Sequence, residues 1–164
     1  MPVQPLLKQE VKALLDKSIA SELYASNLYK HIAAQMQRAG YFGTQKWFEK
    51  ESADELKHYE IIRNYLNDMG CIAAMPQVDA ITDMTGGIGS ALELAYSTEL
   101  MLLNQYRDIY EEVEDEMKDC VTAGFLLTFL SLQVKSVGEY GDLISRFEKN
   151  PVDVFEFDEY MGEL

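Results

Sequence analysis

Apolar side chains recur every three or four residues along most of this chain, which is the period of one buried face of an α-helix. The repeat holds over four long stretches and returns briefly near the carboxyl end. It predicts four long amphipathic helices and a short tail helix, over residues 6–38, 44–69, 90–117, 119–149 and 152–162. We therefore expect an all-α protein that forms a single domain over residues 1–164.

Glycine and proline mark the predicted helix ends. Gly40 and Gly70 follow the first two stretches, and glycine is favoured just past the C-terminus of a helix. The segment Ser90-Ala-Leu-Glu93 has the composition of a capping box and predicts the start of the third helix. The fourth helix is expected to stop before Asn150-Pro151, because the residue before proline avoids the helical conformation.

The lengths of the connections predict how the helices are arranged. A few residues join the first helix to the second and the third to the fourth, so each pair should form an antiparallel hairpin. Residues 71–89 form a much longer connection, which suggests a crossover along the bundle. The sequence therefore predicts a four-helix bundle with one long crossover between helices two and three.

Each predicted apolar face is interrupted by polar side chains near the middle of its helix. In the first helix, Leu15, Glu22, Tyr29 and Met36 recur every seven residues and share one face. Mid-helix positions lie at similar heights in an antiparallel bundle, so the interrupting side chains of all four helices can converge. They are Glu22, Glu55, His58, Glu99 and Gln133.

Three carboxylates, one imidazole and one amide form a set of hard oxygen donors with a single nitrogen. Such a set favours iron or manganese over metals that prefer thiolate. Buried carboxylates that lie close together protonate unless cations compensate their charge. Two divalent ions would do so, with Glu55 placed to bridge them and His58 completing one side. Tyr29 offers a phenol that can hydrogen-bond a ligand or give up an electron.

Each of these residues alone has an ordinary explanation. A single glutamate in an apolar face usually lies at its edge and reaches water, and a lone Glu-x-x-His pair arises often by chance. Gln133 alone could be a hydrogen-bonded core amide, and Tyr29 a core aromatic. Glu51 is expected at the edge of its face and His31 at the surface. The coincidence of one polar interruption per helix, with suitable donors, is what indicates a metal site.

Composition narrows the possible functions. The chain has 14 Lys and Arg against 28 Asp and Glu, which argues against nucleic-acid binding through a basic surface. The acidic balance suits cations, although solubility alone would also explain it. No segment looks long and apolar enough to cross a membrane, and residues 1–5 do not resemble a signal peptide. Cys71 and Cys120 are isolated, which fits a reduced cytoplasm.

Four segments resemble, in order, the helix motifs of the ferritin family, and those of non-haem, H-type ferritins above all. They are residues 22–29 (ELYASNLY), 54–58 (DELKH), 91–99 (ALELAYSTE) and 133–142 (QVKSVGEYGD). One long crossover is also the connectivity of ferritin-like bundles. The resemblance covers nearly the whole chain, and its specificity comes from having all four motifs in order.

The resemblance implies a ferroxidase that oxidises Fe(II) with dioxygen or hydrogen peroxide and stores ferric mineral in a cytoplasmic homo-oligomer, a 24-subunit cage. It also implies that Glu22, Glu55 and His58 hold one iron of a di-iron centre. Glu55, Glu99 and Gln133 would surround the other, with Gln133 mainly in an outer position. Tyr29 would correspond to the tyrosine of the first-helix motif.

The chain also departs from the family pattern. Leu132 and Ser136 stand where many bacterial ferritins carry glutamate, which argues against their third iron site. Residues 122–126 lack the acids that line the three-fold channel of animal ferritins. Leu56 replaces the methionine that would ligate haem, and helix four has no second Glu-x-x-His, so we predict no haem.

Three other functions compete with iron storage. A di-iron oxidase acting on an organic substrate would need a second Glu-x-x-His, where this chain has Gln133. A Dps-like miniferritin that coats DNA would build its site between subunits and often has a basic tail, whereas residues 156–160 are acidic. The last is a structural bundle that binds no metal.

Overall fold

The computed structural model describes residues 4–149 and 153–164, and all regular secondary structure in these ranges is helical. Five α-helices follow one another as α1 (Gln9–Ala39), α2 (Phe42–Asp68), α3 (Ile88–Glu111), α4 (Cys120–Lys149) and α5 (Val154–Glu163). The expected class, a four-helix bundle with a short C-terminal helix, is confirmed. The predicted helix stop at Asn150-Pro151 and the first residue of the predicted tail helix, Val152, lie outside the described residues.

The turn between α1 and α2 has the geometry expected from its glycine. Gly40 adopts a left-handed backbone conformation with φ 87°, which costs glycine little. Its N–H donates to the carbonyl of Gln37, and the N–H of Tyr41 donates to the carbonyl of Met36. These bonds satisfy the last carbonyls of α1 and turn the chain into an antiparallel hairpin.

The start of α2 is capped by a residue from the far end of the chain. The buried carboxylate of Asp158, in α5, accepts hydrogen bonds from the N–H groups of Gly43 and Thr44 at 3.0 and 2.7 Å. It also accepts one from the Thr44 hydroxyl at 2.7 Å. A carboxylate at a helix N-terminus satisfies free N–H groups and favours the helix dipole. This distant cap lets α2 begin at Phe42 rather than at Thr44.

The expected capping box of α3 is wrong. The helix begins at Ile88, two residues before Ser90, and Ser90 does not cap it. The Ser90 hydroxyl instead accepts a hydrogen bond from the Gly86 N–H and donates one to the Gly87 carbonyl. The other end also differs, because a π-helical segment, Glu112–Glu116, follows α3. Four of its five residues are acidic, and negative charge near a helix C-terminus is unfavourable.

The crossover between α2 and α3 is fastened to α1 by side chains. The Ala74 N–H donates to Asp16 at 2.9 Å. Farther along, the Thr85 N–H donates to the Gln35 side-chain oxygen at 2.7 Å, and the Gln35 amide donates to the Asp83 carbonyl at 3.0 Å. The crossover therefore lies along α1, between Asp16 and Gln35.

The helix α4 corrects one expectation from the sequence. By length and composition alone, it is long and apolar enough to cross a membrane, although no such segment was predicted. Lys135 is the only charged residue between Cys120 and Gly138. A helix of a soluble bundle can pass the same test. In this bundle α4 buries one face, which includes Leu126, Phe129 and Gln133.

The buried apolar side chains form two clusters along the bundle. One includes Tyr29, Phe48 and Tyr140 and is closed by Phe157 and Met161 of α5. The other cluster lies towards the opposite end of the bundle, and its members include Leu15, Ile19, Ile62, Leu66, Tyr106, Ile109, Leu126 and Phe129. On α1, α2 and α4 the polar interruption falls between residues of the two clusters, and on α3 Glu99 lies close to the boundary, between Ala95 and Leu102 of the first cluster. The packing therefore holds a polar layer in the middle of the core.

Candidate metal centre

Three donors from the first hairpin meet at one point in this layer. Glu22 comes from α1, while Glu55 and His58 lie three residues apart on one face of α2. Their donor atoms all lie within 4.8 Å of one another. The His58 Nδ1 is 3.3 Å from Glu55 Oε2 and 3.5 Å from Glu22 Oε2. Two carboxylates and an imidazole at this spacing can hold one cation.

The second hairpin adds Glu99 and Gln133, which are bonded to each other. Gln133 Nε2 donates to Glu99 Oε2 at 2.9 Å, and the hydroxyl of Tyr29 donates to Glu99 Oε1. The remaining amide oxygen of Gln133 is buried and accepts no hydrogen bond from the described residues. A buried polar atom without a partner is costly, and a bound cation would satisfy this one.

Glu22 is oriented by a tyrosine that the sequence analysis did not single out as a site residue. Tyr106 of α3 donates its phenol to Glu22 Oε1, and both residues are fully buried. The other oxygen, Oε2, is buried and has no hydrogen bond within the described part of the chain. It faces His58 instead, so one carboxylate oxygen is anchored and the other is free to bind.

The protonation equilibria of the centre reflect its burial. Burial raises the pKa of Glu55 well above its usual value; His58 opposes this shift, whereas Glu22 and Glu99 add to it. Burial also raises the pKa of Glu99, although hydrogen bonds from Tyr29 and Gln133 oppose the shift. Burial lowers the pKa of His58, but Glu22 and Glu55 outweigh it and leave the pKa raised. A cation that binds here must displace protons.

A second hydrogen-bonded pair lies beside the centre. Glu51, expected at the edge of its face, is half-buried and accepts a hydrogen bond from the Tyr140 phenol at 2.9 Å. Burial raises the pKa of Glu51 to about 7, with Tyr140 opposing the shift and Glu99 adding to it. The sequence carried a signal for this pair: Glu51 is four residues before Glu55, and Tyr140 seven after Gln133, on the same helix faces.

The centre opens through a cavity of about 310 Å³ between α2 and α4. Glu55 and His58 line it from the inside. The other lining residues include Glu51, Asp54, Lys57, Leu132, Lys135, Ser136 and Glu139. Leu132 and Ser136, where the resemblance led us to expect acids, therefore stand at this opening.

His31 differs from its expected position. It is half-buried rather than at the surface, and its Nε2 has no hydrogen-bond partner among the described residues. None of the hydrogen bonds made by Glu22, His58 and Glu99 within the described residues involves His31. The predicted site residues Glu22, Tyr29, Glu55, His58, Glu99 and Gln133 are thus brought together, and Glu51, Tyr106 and Tyr140 join them.

The donors present fit hard or borderline cations. The set contains carboxylate and amide oxygens and one imidazole, and it includes no thiolate. Two buried oxygens without hydrogen bonds from the described residues, on Glu22 and Gln133, belong to opposite hairpins. The arrangement therefore offers enough free donor oxygens to bind more than one cation.

Comparison with protein families gives a match over most of the chain. The ferritin model, described as a ferritin-like domain, matches residues 12–150. A probable bacterial non-haem ferritin-like protein from Haemophilus influenzae is 23% identical over 97% of this chain and 98% of its own length. A bacterial non-haem ferritin from Bacteroides fragilis is 21% identical over 96% of this chain and 99% of its own length.

Solved structures share the fold. An open pore ferritin from the archaeon Archaeoglobus fulgidus superposes with a TM-score of 0.91 at 19% identity. The match covers 95% of this chain and 98% of the archaeal chain. At this identity the likeness establishes the architecture alone, so any activity has to be argued from the residues of the centre.

Proposed function

The chain belongs to the ferritin family, among its non-haem members, and we propose that it oxidises Fe(II) to Fe(III) at a di-iron centre within one subunit. The observation that carries the proposal is the convergence of Glu22, Glu55 and His58 within 4.8 Å in the middle of the bundle. Buried carboxylates of this kind are costly unless a cation compensates them.

Two irons are proposed because the donors form two groups. Glu22, Glu55 and His58 would hold the first iron. Glu99 and the free amide oxygen of Gln133 would serve the second, with Glu55 shared between the two. In iron-binding helical bundles, carboxylates projecting from several helices build such centres.

The protein's own residues would also move protons during iron binding. The pKa values of Glu55, Glu99 and His58 are all raised, so the iron-free centre would hold protons more tightly than the free side chains do. Fe(II) would displace them, and they could leave through the cavity between α2 and α4. Tyr29, hydrogen-bonded to Glu99, lies close enough to supply an electron to the oxidant.

Storage follows from the same proposal. We infer that the chain assembles into a closed homo-oligomeric cage of 24 subunits in the cytoplasm and keeps the ferric product inside as mineral. Dioxygen or hydrogen peroxide would be the oxidant, and no haem is involved. The donor cluster lies within one chain, which argues against a Dps-like site between subunits. Gln133 in place of a second histidine motif argues against an oxidase of organic substrates.

An anaerobic Fe(II) titration tests this proposal. The parent protein should bind about two Fe(II) per chain tightly, as a two-metal bundle site requires. Glu55→Ala should lose tight binding of the pair and the fast phase of oxidation, seen by stopped-flow absorbance after mixing with dioxygen. The matched control is Glu49→Ala, an exposed glutamate on the same helix, which should behave as the parent does. Weak binding alone in the parent would refute the two-metal centre.

A further inference from the structure

Three buried tyrosines surround the proposed centre, and each donates its phenol to a carboxylate. Tyr29 donates to Glu99, Tyr106 to Glu22, and Tyr140 to Glu51. Glu99 and Glu22 are proposed iron ligands, so in a loaded centre each would keep only the carboxylate oxygen that accepts the phenol hydrogen bond. Glu51 is not among the proposed ligands, so iron binding leaves the whole carboxylate beside the Tyr140 hydroxyl available as a proton acceptor.

Tyr140 is in contact with the tyrosine nearest the centre. The Tyr29 and Tyr140 ring centroids are 6.3 Å apart, within the range of aromatic pairs. Both rings are buried, and Phe48 packs against each of them. An electron can pass between rings in contact, so Tyr140 can reduce an oxidised Tyr29.

The Glu51 carboxylate gives the Tyr140 proton a way out. It accepts a hydrogen bond from the Tyr140 phenol at 2.9 Å. It also lines the cavity between α2 and α4, together with Asp54 and Glu139. Burial raises the pKa of Tyr140 well above its usual value, so the phenol keeps its proton until an electron is removed. Loss of the electron and transfer of the proton to Glu51 then occur together.

The next aromatic ring does not continue this path. Trp47 lies edge-on to Tyr140 with centroids 6.4 Å apart. However, the Lys50 ammonium lies 5.3 Å from the Trp47 ring, where its positive charge disfavours an oxidised indole. The buried indole N–H makes no hydrogen bond to a carboxylate of the described residues, so no base is placed to take its proton. An oxidising equivalent should therefore stop at Tyr140.

We propose that Tyr140, with Glu51 as its proton acceptor, is a second electron donor to the oxidant and is reached through Tyr29. The inference rests on the proposed iron oxidation. Reduction of one dioxygen to two waters takes four electrons and four protons, of which two Fe(II) supply two electrons. Tyr29 and Tyr140 supply one electron each as their O–H bonds break. Their protons pass to Glu99 and Glu51, and solvent supplies the four protons of the two waters.

Tyr29 first gives an electron to the oxidant and its proton to Glu99. Tyr140 then returns an electron to Tyr29 while its own proton goes to Glu51, and Tyr29 recovers its proton from Glu99. Tyr29 is then able to give a second electron. Complete reduction of dioxygen becomes possible when a centre holds only two Fe(II).

The test is a rapid-mixing experiment with limiting iron. Protein loaded anaerobically with two Fe(II) per chain is mixed with dioxygen and freeze-quenched for electron paramagnetic resonance, and released hydrogen peroxide is measured in parallel. The parent should show a tyrosyl radical and release little peroxide. Tyr140→Phe should lose the Tyr140 contribution to the radical signal, leaving that of Tyr29, and should release more peroxide per iron oxidised. Glu51→Gln, which retains the hydrogen-bond acceptor but takes no proton, should shift both readouts the same way.

Matched variants decide between explanations. Trp47→Phe and Tyr41→Phe, the latter a half-buried tyrosine packed on Phe155, should match the parent. Parent-like radical and peroxide yields in Tyr140→Phe would overturn the inference, as would loss of the signal in Tyr106→Phe alone. Iron oxidation is followed in the same samples. A parent that oxidises iron without a Tyr140 radical refutes this relay alone, whereas one that does not oxidise iron refutes the proposed function as well.

Discussion

The phenol of Tyr106 donates a hydrogen bond to the carboxylate of Glu22, joining α3 to α1 in the middle of the core. Both side chains are fully buried. The bond links the two hairpins directly and fixes one oxygen of Glu22, while the other faces His58. Tyr106 therefore positions Glu22 for a cation without being a donor to it.

Tyr106→Phe should destabilise the iron-free protein by about 1–3 kcal/mol, because it leaves a buried carboxylate oxygen without its donor. The loss of unfolding free energy caused by Tyr106→Phe should be smaller when Zn²⁺ is bound, since the cation compensates the carboxylate charge. Thermal unfolding with chelator and with Zn²⁺ measures both effects. The control is Tyr110→Phe, a half-buried tyrosine on the same helix. An equal loss with and without Zn²⁺ would contradict the link to Glu22.

Glu51→Gln should reduce the pH dependence of stability in the metal-free protein. The folded-state pKa of Glu51 is raised from 4.5 to about 7, so the folded protein binds the proton more tightly than the unfolded chain. Its contribution is present below about pH 4.5 and is lost as pH rises through about 7, a change of roughly 3 kcal/mol. Urea unfolding at pH 5 and pH 8 measures it. Glu49→Gln, at an exposed position, should leave the pH dependence of the unfolding free energy as it is in the parent.

Gly43→Ala should displace α5 from the start of α2. A Cβ at Gly43 would lie 1.8 Å from the backbone carbonyl oxygen of Asp158, so the two helices must separate. We expect a loss of about 1–3 kcal/mol from overpacking, and more if the Asp158 cap is also lost. Hydrogen exchange over residues 154–163 should accelerate.

A second glycine in a helix provides the matched control for this prediction. A Cβ added at Gly124 in α4 would meet none of the described residues within 4 Å, so Gly124→Ala should stabilise the protein by roughly 0.5–1 kcal/mol. If Gly43→Ala and Gly124→Ala changed the melting temperature alike, the close approach of α2 and α5 would not matter for stability.

Light scattering coupled to size exclusion should give the mass of a 24-chain assembly, with and without iron. The prediction comes from the ferritin family and from the presence of α5 after the bundle. A mass of one or two chains under both conditions would count against mineral storage. A twelve-chain mass would favour the miniferritin alternative instead.

Helical periodicity predicted the four long helices because each keeps one apolar face over most of its length. The same argument selected Glu22, Glu99 and Gln133, since each is a polar residue at a position where the pattern requires an apolar one. Tyr106 and Tyr140 were on the predicted faces too, but a tyrosine on an apolar face is normally interpreted as a core aromatic residue. Their hydrogen bonds depend on which helix faces which, and a single helix pattern does not contain that information.

Helix boundaries were harder to predict wherever the deciding contact is distant. Thr44 looked like the first residue of α2, but the cap comes from Asp158, 114 residues later. Ser90 had the right neighbours for a capping box, yet its hydroxyl bonds the turn before the helix. The π-helical segment Glu112–Glu116 was predicted as the last part of the third α-helix, because apolar periodicity does not distinguish a π-helical turn from an α-helical one.

The long crossover also sets the order in which the donors gather as the chain folds. Glu22, Glu55 and His58 belong to the first hairpin, whose contacts are close in sequence and form early. Glu99 and Gln133 arrive only when the second hairpin docks. We therefore expect a cation present during synthesis to meet a site with three of its donors already assembled. If it binds this hairpin and not the unfolded chain, it would stabilise the hairpin before the bundle closes.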